Sequence, residues 1–431
     1  MSEPLSTDNL ARLALLSSGL NEQQSDPYIE KLAVLLKKSE SVITPGMDTD
    51  QKAEALLVYL HDTVFKRYSL TQTTVHTVLD RGTYNCVSSA MVYMIITRYH
   101  NIPVEGVHAE DHAFCRVIGT PQGGTDVETT NEWGYNPGLR KEFQSSFTDR
   151  TGYVYVPPGN YSERQRLGDR DMAGLILQNR IVELQNKNRH MDALTLAADR
   201  LALTGSVQAR LDYFNTVQNA AAQKNNRKEY LQGIDIINQA ALGDSDFPDF
   251  LRETRAQLVF NACAESVNNN DLSAARGLLE SQGLYLSADE KRNIRILISR
   301  RELEVKVRGA FSPAVIQEIA EAAASGDITR DRAATLGAYH YSIESERLSR
   351  EGRNIESYLF MLEAESWIQK DREYKRLIPV LRDNAAIEYH NQIVRLMQQD
   401  KRDEARAVLS QGLELIPRSS LLLQDKRKLE Q

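Results

Sequence analysis

Three side chains of this sequence could together form a thiol active site, and the first of them is Cys86. It follows the turn-forming stretch RGTYN (81–85) and precedes VSSAMVYMIITRYH, in which apolar residues recur at helical spacing. Asn85 is a favourable helix cap, so we expect a helix to begin at Cys86. Backbone amides and the helix dipole at that position favour the thiolate, the nucleophilic form of cysteine. The alternative is a small apolar side chain packed beneath the turn, because free cysteines are among the most buried residues.

The second side chain is His112, the candidate general base. The stretch HAFCRV (112–117) alternates as a strand does, which places His112, Phe114 and Arg116 on one face. Cys115 then points to the opposite face, which we expect to be core. This orientation excludes Cys115 as the nucleophile.

The third side chain is a carboxylate, Glu128. After the turn TPQGG, Asp126 and Glu128 share one face of the short stretch TDVETT. If the turn is centred near Thr120 or Pro121, Glu128 falls directly across from His112 or one diagonal step away, and Asp126 falls one step further. In a set of cysteine, histidine and carboxylate, the histidine accepts the thiol proton, and the carboxylate fixes the histidine tautomer and stabilises the imidazolium.

Read together, RGTYNCVSSAMVY, HAFCRV and DVETT resemble the three motif blocks of the transglutaminase-like superfamily, over about residues 50–155. Its papain-like folds present a cysteine at a helix start and a histidine and an aspartate on the adjacent sheet. The resemblance implies that Cys86 matches the family cysteine. HAF stands where HAW is usual, which matches His112, and VETT stands where VDPT is usual, which matches Glu128. Two positions depart from the pattern: Tyr84 stands where bacterial members commonly have glycine, and glutamate replaces aspartate.

Two functions from different classes follow from these motifs. In the first, the N-terminal domain is a thiol enzyme that attacks amide bonds of a protein or peptide. Cys86 forms an acyl-enzyme, His112 protonates the leaving amine, and water (peptidase or amidase) or an amine (transglutaminase) resolves the intermediate. In the second, the domain is catalytically inactive and the chain is a scaffold that binds a partner through its helical region. The intact set of three side chains favours the enzyme.

Trp133 and Tyr135 lie in the stretch NEWGYNPG, directly after the third motif. Aromatic side chains in such a loop bind substrate beside Cys86 or cover the sheet edge, and both interpretations stay open. We expect an oxyanion site made of the Cys86 backbone amide and one further donor, which the sequence leaves unnamed.

A metal site is the competing interpretation of the stretch HAEDH. His108 and His112 stand four residues apart with Cys115 nearby, and that histidine spacing binds zinc when both lie on one face of a helix. Pro103, Gly106 and the alternation of HAFCRV predict strand and turn instead, so we predict no metal site. No calcium-binding or nucleotide-binding loop occurs in the sequence, and no cofactor is predicted.

The elements that must position these residues change character along the chain. Helical spacing marks residues 26–43, 48–68 and 86–99, and short β-rich stretches then predict strands at 102–110, 112–119, 124–130 and 153–157. We predict an α+β domain over residues 1–160, with helices ahead of a small antiparallel sheet. One stripe of the helix after Cys86 is predicted to be buried: Val87, Ala90, Met91, Met94 and Ile95.

Residues 161–431 read as consecutive helices joined by short polar turns, with an internal repeat. An asparagine stands fourteen residues before an alanine in three copies, namely Asn179 and Ala193, Asn261 and Ala275, and Asn391 and Ala405. A looser copy starts at Asn215, thirty-six residues after the first. A small residue at a fixed place and a period in the mid-thirties resemble a tetratricopeptide repeat, whose helix pairs stack to bury their apolar faces. The aromatic consensus is mostly absent, so we predict a degenerate helical array, with residues 300–380 assigned by helical character alone.

Composition narrows the choice of partner and compartment. The 431 residues carry 52 Lys and Arg against 59 Asp and Glu, a formal net charge of -7, which argues against a nucleic-acid-binding surface. No apolar run reaches membrane-spanning length, and the first residues lack the pattern of a secretion signal. We expect a protein or peptide partner at the helical repeats. The location is cytoplasmic if the chain is complete and exported if a leader has been removed.

Overall fold

The structure is a computed structural model that describes residues 3–109, 112–121, 123–152, 163–241 and 247–430. The strand predicted at 153–157 lies outside the described residues, as do Glu110 and Asp111 of the HAEDH stretch. The chain divides into two compact units, Met1–Thr254 and Arg255–Gln431. Within the described ranges, none of the helices combines the length and the apolar character needed to cross a membrane.

The first unit contains helices on both sides of a group of short strands. Its helices are α1 (Thr7–Ser17), α2 (Glu22–Ser39), α3 (Thr49–Thr63), α4 (Val75–Arg81), α5 (Cys86–Tyr99), α6 (Lys141–Thr151), α7 (Asp169–Asn186), α8 (His190–Thr204), α9 (Val207–Asn226) and α10 (Tyr230–Ala241), and α11 (Asp249–Asn268) runs past its end. Its strands are β1 (Arg67–Tyr68), β2 (Thr83–Tyr84), β3 (Val104–Ala109), β4 (His112–Val117), β5 (Thr125–Val127) and β6 (Gln165–Leu167).

The second unit is helical throughout its described residues. Its helices are α12 (Leu272–Gln282), α13 (Ala288–Val307), α14 (Pro313–Ala324), α15 (Arg330–Arg350), α16 (Asn354–Glu363), α17 (Glu365–Ile368), α18 (Arg372–Gln398), α19 (Arg402–Leu415) and α20 (Ser420–Glu430). The prediction of an α+β beginning followed by a helical array is therefore confirmed at the level of fold class.

The main sheet has the strand order β5-β4-β3-β6, and every neighbouring pair is antiparallel, as predicted. Strand β6 lies beyond the last predicted strand and pairs with β3 through Gly106 and Leu167. A second, parallel pair joins β1 to β2 just before α5. The sheet thus places β4 and β5 side by side, and these are the strands that lead to His112 and Glu128.

Helix α5 lies at the centre of the first unit, packed against α1, α3, α7, β3 and β4. The predicted stripe is buried, but the prediction was too narrow, because every residue from Cys86 to Thr97 is buried. The polar residues on the other faces are tolerated there because their hydroxyls are hydrogen-bonded. Ser88 donates to the carbonyl of Gln72 (3.0 Å), and Thr97 donates to the carbonyl of Tyr93 (2.7 Å).

The core of the first unit extends beyond residue 160, where we predicted the end of the first domain. Met172 and Ile176 of α7 are fully buried in the same apolar cluster as α5. Asp169, at the start of α7, accepts two hydrogen bonds from Arg98 at the end of α5 (2.9 and 3.0 Å). The division at residue 160 stays a prediction, but α7 contributes to the core that holds Cys86.

The helical array repeats one turn geometry. Among the described residues, one with positive φ lies between α7 and α8, α9 and α10, α11 and α12, α15 and α16, and α18 and α19: Asn188, Lys228, Asn270, Gly352 and Asp400 respectively. Five residues later, the second helix buries a small side chain each time: Ala193, Gly233, Ala275, Ser357 and Ala405. Asn219, rather than the predicted Asn215, stands fourteen residues before Gly233, so the second copy is one helical turn further along the chain.

Candidate active site

Cys86 is the first residue of α5, as predicted. The Asn85 side chain accepts a hydrogen bond from the Ser88 amide (2.9 Å), and the Ser88 hydroxyl accepts one from the Asn85 amide (3.0 Å). This capping box fixes the helix start. The first intrahelical bond runs from the Ser89 amide to the Asn85 carbonyl (3.0 Å). The amides of Cys86 and Val87 precede that ladder, which makes them candidate donors to a developing oxyanion.

His112 is the first residue of β4, and it connects the cysteine to a carboxylate. Its Nε2 is hydrogen-bonded to Oε2 of Glu128. The Cys86 side chain also interacts with this ring and raises the His112 pKa. Because Nε2 faces Glu128, Nδ1 is the nitrogen left for the thiol. The structure therefore brings together the three residues that the motifs predicted.

Glu128 directly follows β5 and has a partner for each oxygen. The pairing of Arg116 with Asp126 puts Glu128 one diagonal step from His112, which is the second of the two predicted positions. Oε1 accepts hydrogen bonds from the amide (3.1 Å) and the hydroxyl (2.7 Å) of Thr130. Glu128 is only 3% exposed, so these contacts replace the water that an ionised carboxylate otherwise needs.

The two partners hold each other in their charged forms. Burial alone lowers the pKa of His112, but the Glu128 carboxylate and the Cys86 side chain raise that pKa well above its ordinary value of 6.5. Burial raises the pKa of Glu128, but His112 and Thr130 lower it more, so the Glu128 pKa lies below 4.5. Each partner therefore favours the charged form of the other, and an imidazolium is the form of His112 that stabilises a neighbouring thiolate.

The other two cysteines are buried thiols with ordinary structural contacts. Cys115 is fully buried, donates to the carbonyl of Ala90 (3.6 Å), and has a pKa well above 9.0, chiefly because of burial. Cys263 donates to the carbonyl of Ala275 (3.7 Å), and burial raises its pKa to about 11. The prediction that Cys115 faces the core is confirmed.

Asp126 takes no part in the contacts of His112. Its Oδ1 lies 2.7 Å from Nη1 of Arg116 and 2.7 Å from Nη2 of Arg164, which forms a separate ion-pair cluster on the sheet. Asp126 lies in β5 and Glu128 directly follows it, and Glu128 is the carboxylate that reaches His112.

The structure separates the two aromatic residues that were predicted beside the site. Tyr135 is buried, its backbone bridges to Val127 at the edge of the sheet, and its hydroxyl donates to Asp50. Burial and this hydrogen bond raise the pKa of Tyr135 well above its ordinary value. These contacts favour the sheet-edge interpretation for Tyr135. Trp133 is 42% exposed and stays a candidate for substrate binding.

The pairing of β3 with β4 places the two histidines of the HAEDH stretch on opposite faces. His112 lies opposite Ala109, whereas His108 lies opposite Ala113, one position along. Directly opposed residues share a face and successive residues alternate, so His108 and His112 cannot ligate one metal ion. In the described part of the chain, no group of three or more potential ligands is arranged to hold a metal.

Sequence reasoning missed the residues that hold the loop 128–134. Thr129 lies 2.8 Å from the hydroxyl of Ser89, which also donates to the Cys86 carbonyl (3.3 Å). His61 donates to the carbonyl of Thr129 (3.2 Å), and Tyr84 donates to that of Thr130 (3.2 Å). The sequence shows only a run of four polar residues, ETTN (128–131), and the structure shows that all four are buried and so require partners.

Two aromatic rings flank His112 on its own side of the sheet. Phe114 is stacked against the imidazole at 6.2 Å between ring centroids, and Phe147 of α6 approaches edge-on at 6.3 Å. Asn131 joins α6 to the loop by donating to the Ser146 hydroxyl (2.7 Å). Helix α6 therefore forms one wall beside the histidine.

Comparison of the chain with protein-family models, with curated proteins and with solved structures found no match. The function proposed for the site rests on the residues and contacts described above.

Proposed function

We propose that the first unit is a thiol enzyme of transglutaminase-like type, which acts on amide bonds of a protein or peptide. The observation that supports this proposal is the continuous contact from Cys86 through His112 to Glu128, with the carboxylate buried and satisfied. A cysteine at a helix start, next to a histidine and a carboxylate on a sheet, resembles the papain-like arrangement of that superfamily. A thiolate beside an imidazolium is a nucleophile and an acid ready for acyl transfer.

The reaction follows from the positions of the groups. The Cys86 thiolate attacks the amide carbonyl carbon, a C–S bond forms, and the oxygen gains negative charge near the amides of Cys86 and Val87. As the C–N bond breaks, His112 gives its proton to the leaving amine, and a thioester and a neutral imidazole remain. Water or a primary amine then attacks the thioester and gives its proton to His112, and sulfur leaves as the thiolate. Glu128 stays ionised and orients the ring throughout.

Trapping of the acyl-enzyme tests this proposal. The full chain is mixed with a panel of peptide esters and amides, quenched in acid, and weighed by intact-protein mass spectrometry. We expect a single acyl adduct at Cys86 that is absent in Cys86→Ser and at least about a hundredfold slower to form in His112→Ala. Cys263→Ser serves as the matched control and should acylate normally. Acylation that persists in Cys86→Ser, or a panel that never acylates the protein, would contradict the proposal.

The alternative is an inactive scaffold that binds a protein partner through the helical array. The observation that favours partner binding is a repeated apolar position: Met191 and Leu231 each stand three residues after a left-handed turn residue, and both side chains are exposed. A stacked array presents such positions to a peptide. If the acylation panel fails, partner binding that is lost in Met191→Glu with Leu231→Glu, and retained in Val207→Glu, would support the scaffold.

A further inference from the structure

Tyr84 lies two residues before Cys86 and reaches across to the loop that carries the carboxylate. Its side chain is buried, with its ring 4.8 Å from that of Phe65 between centroids. Its hydroxyl donates to the carbonyl of Thr130 (3.2 Å), forty-six residues away in the chain. A buried tyrosine hydroxyl normally finds a partner, so the bond alone does not separate a structural role from a functional one.

The identity of that partner makes the contact informative. Thr130 uses its amide and its hydroxyl to hold Oε1 of Glu128, while Oε2 holds His112. The contacts therefore close a ring: Tyr84 holds Thr130, Thr130 holds Glu128, Glu128 holds His112, and His112 meets Cys86, two residues after Tyr84. Every member of this ring other than His112 is less than one tenth exposed.

We propose that Tyr84 is a positioning residue of the thiol site, whose hydroxyl acts through Thr130 to fix the Glu128 carboxylate against His112. The inference rests on the proposed function, because it assigns a role within the same site. A glutamate has three rotatable side-chain bonds, and each must be held for the carboxylate to face the imidazole. Thr130 holds the carboxylate directly, and Tyr84 holds the backbone from which Thr130 acts.

A matched control is present on the helix that carries Cys86. Tyr93 is fully buried in α5, and its hydroxyl donates to the carbonyl of Ala53 at 3.0 Å. Tyr93→Phe therefore removes the same kind of hydrogen bond as Tyr84→Phe, at a carbonyl outside the ring. A purely structural role predicts the same consequences for both changes.

The experiment uses the full chain with labelled histidine, and it reads the His112 titration by NMR and the alkylation rate of Cys86 by chloroacetamide at pH 6. In Tyr84→Phe we expect a lower His112 pKa and alkylation about twofold to tenfold slower, the factor that corresponds to one hydrogen bond. Tyr93→Phe should leave both readings unchanged. Thr130→Val removes the Thr130 hydroxyl and should change both readings in the same direction as Tyr84→Phe. Thr130→Ser keeps a hydroxyl and should give the wild-type readings.

A second arm asks whether Tyr84 acts through Glu128. In a Glu128→Gln background, Tyr84→Phe should cause no further change in the His112 titration. A change of the same size in that background would overturn the proposal, and so would equal effects of Tyr84→Phe and Tyr93→Phe. Neither reading needs a substrate. If Tyr84→Phe shifts the His112 titration but the wild-type protein is never acylated, the enzyme proposal fails and the positioning role stands. If the wild-type protein is acylated but Tyr84→Phe leaves the His112 titration unchanged, the positioning role fails and the enzyme proposal stands.

Discussion

Glu128 keeps its charge in a place almost closed to water because Thr130 and His112 occupy both of its oxygens. We predict that Glu128→Gln lowers the pKa of His112. The carboxylate and Cys86 are what raise that pKa, and burial, which lowers it, stays after the substitution. NMR titration of the imidazole measures the change. Asp126→Asn removes one charge from the same strand without touching His112, and it should leave the titration in place. A His112 pKa unchanged by Glu128→Gln would contradict the assignment.

The same pair predicts how stability depends on pH. Folding lowers the Glu128 pKa. Its contribution to the free energy of unfolding is therefore complete above pH 4.5 and is lost as the pH falls through the lowered pKa. The His112 pKa is raised, so its contribution is complete below 6.5 and is lost as pH rises through the raised value. Urea unfolding should therefore show the largest difference between wild type and Glu128→Gln from pH 4.5 to 6.5. A difference that grows steadily toward alkaline pH would contradict this sign.

We also predict that iodoacetamide modifies native Cys86 before the other two cysteines. Burial raises the pKa of Cys115 and of Cys263, so both stay as thiols at pH 7, and thiols react slowly. Peptide mass spectrometry after brief labelling measures the order of modification. In urea all three should react alike, which is the control. Equal labelling of Cys263 and Cys86 in the folded protein would show that Cys86 has no special reactivity.

The pairing of His112 with Glu128 could be predicted from the sequence, because positions on two paired strands can be counted from the turn that joins them. A turn near Thr120 or Pro121 leaves Glu128 only two positions relative to His112, and the structure has the diagonal one. Counting could not find Thr130 or Tyr84. Their roles depend on how a loop folds back and on which carbonyl a hydroxyl reaches, and neither is periodic in the sequence.

At the scale of elements, the loop 128–134 is as important as the strands, because it closes on itself. The Glu128 amide donates to the Gly134 carbonyl (2.8 Å), and the Gly134 amide donates to the Asn131 carbonyl (3.0 Å). A Cβ on Gly134 would stand 1.8 Å from the Glu128 carbonyl oxygen. Because that oxygen belongs to the backbone, no side-chain rotation can relieve the clash. The position therefore requires glycine.

We predict that Gly134→Ala destabilises the first unit by about 1–3 kcal/mol and weakens the contact between Glu128 and His112, because the loop must open. Thermal unfolding and the His112 NMR signal measure the two effects. Gly138→Ala is the matched control, since a Cβ there meets nothing within 4 Å. A tolerated Gly134→Ala with a normal His112 signal would mean that the loop is not held as described.

The elements also show what periodicity leaves out. The start of α5 was predictable from Asn85, because capping is a local interaction. The complete burial of the first twelve residues of α5 was not predictable. In the sequence, Ser88 and Ser89 indicate a solvent-exposed face, and only the structure shows their buried partners. Strand β6 is three residues long and two of its side chains are exposed, which is too little alternation to distinguish it from a loop.

At the scale of the whole chain, the left-handed backbone turn of the helical region is repeated more regularly than its amino-acid sequence. The left-handed residues of the pairs follow one another at intervals of 40, 42, 82 and 48 residues, and the interval of 82 spans α13 and α14, which are joined differently. Asparagine, lysine, glycine and aspartate all occupy this position. The sequence repeat was therefore visible only in part, because the small buried residue is kept while the turn residue and the spacing vary.

This repeated turn leads to a prediction within the second unit. Gly352 has φ 77°, and a Cβ there meets nothing within 4 Å, so Gly352→Ala should cost about 1 kcal/mol from backbone conformation alone. Gly277, in α12, has equally open surroundings but helical backbone, and Gly277→Ala should instead stabilise by about 0.5–1 kcal/mol. Urea unfolding followed by Trp367 fluorescence, in a Trp133→Phe background, measures both. If both substitutions changed the free energy of unfolding in the same direction, Gly352 would not hold the left-handed turn on which the repeat depends.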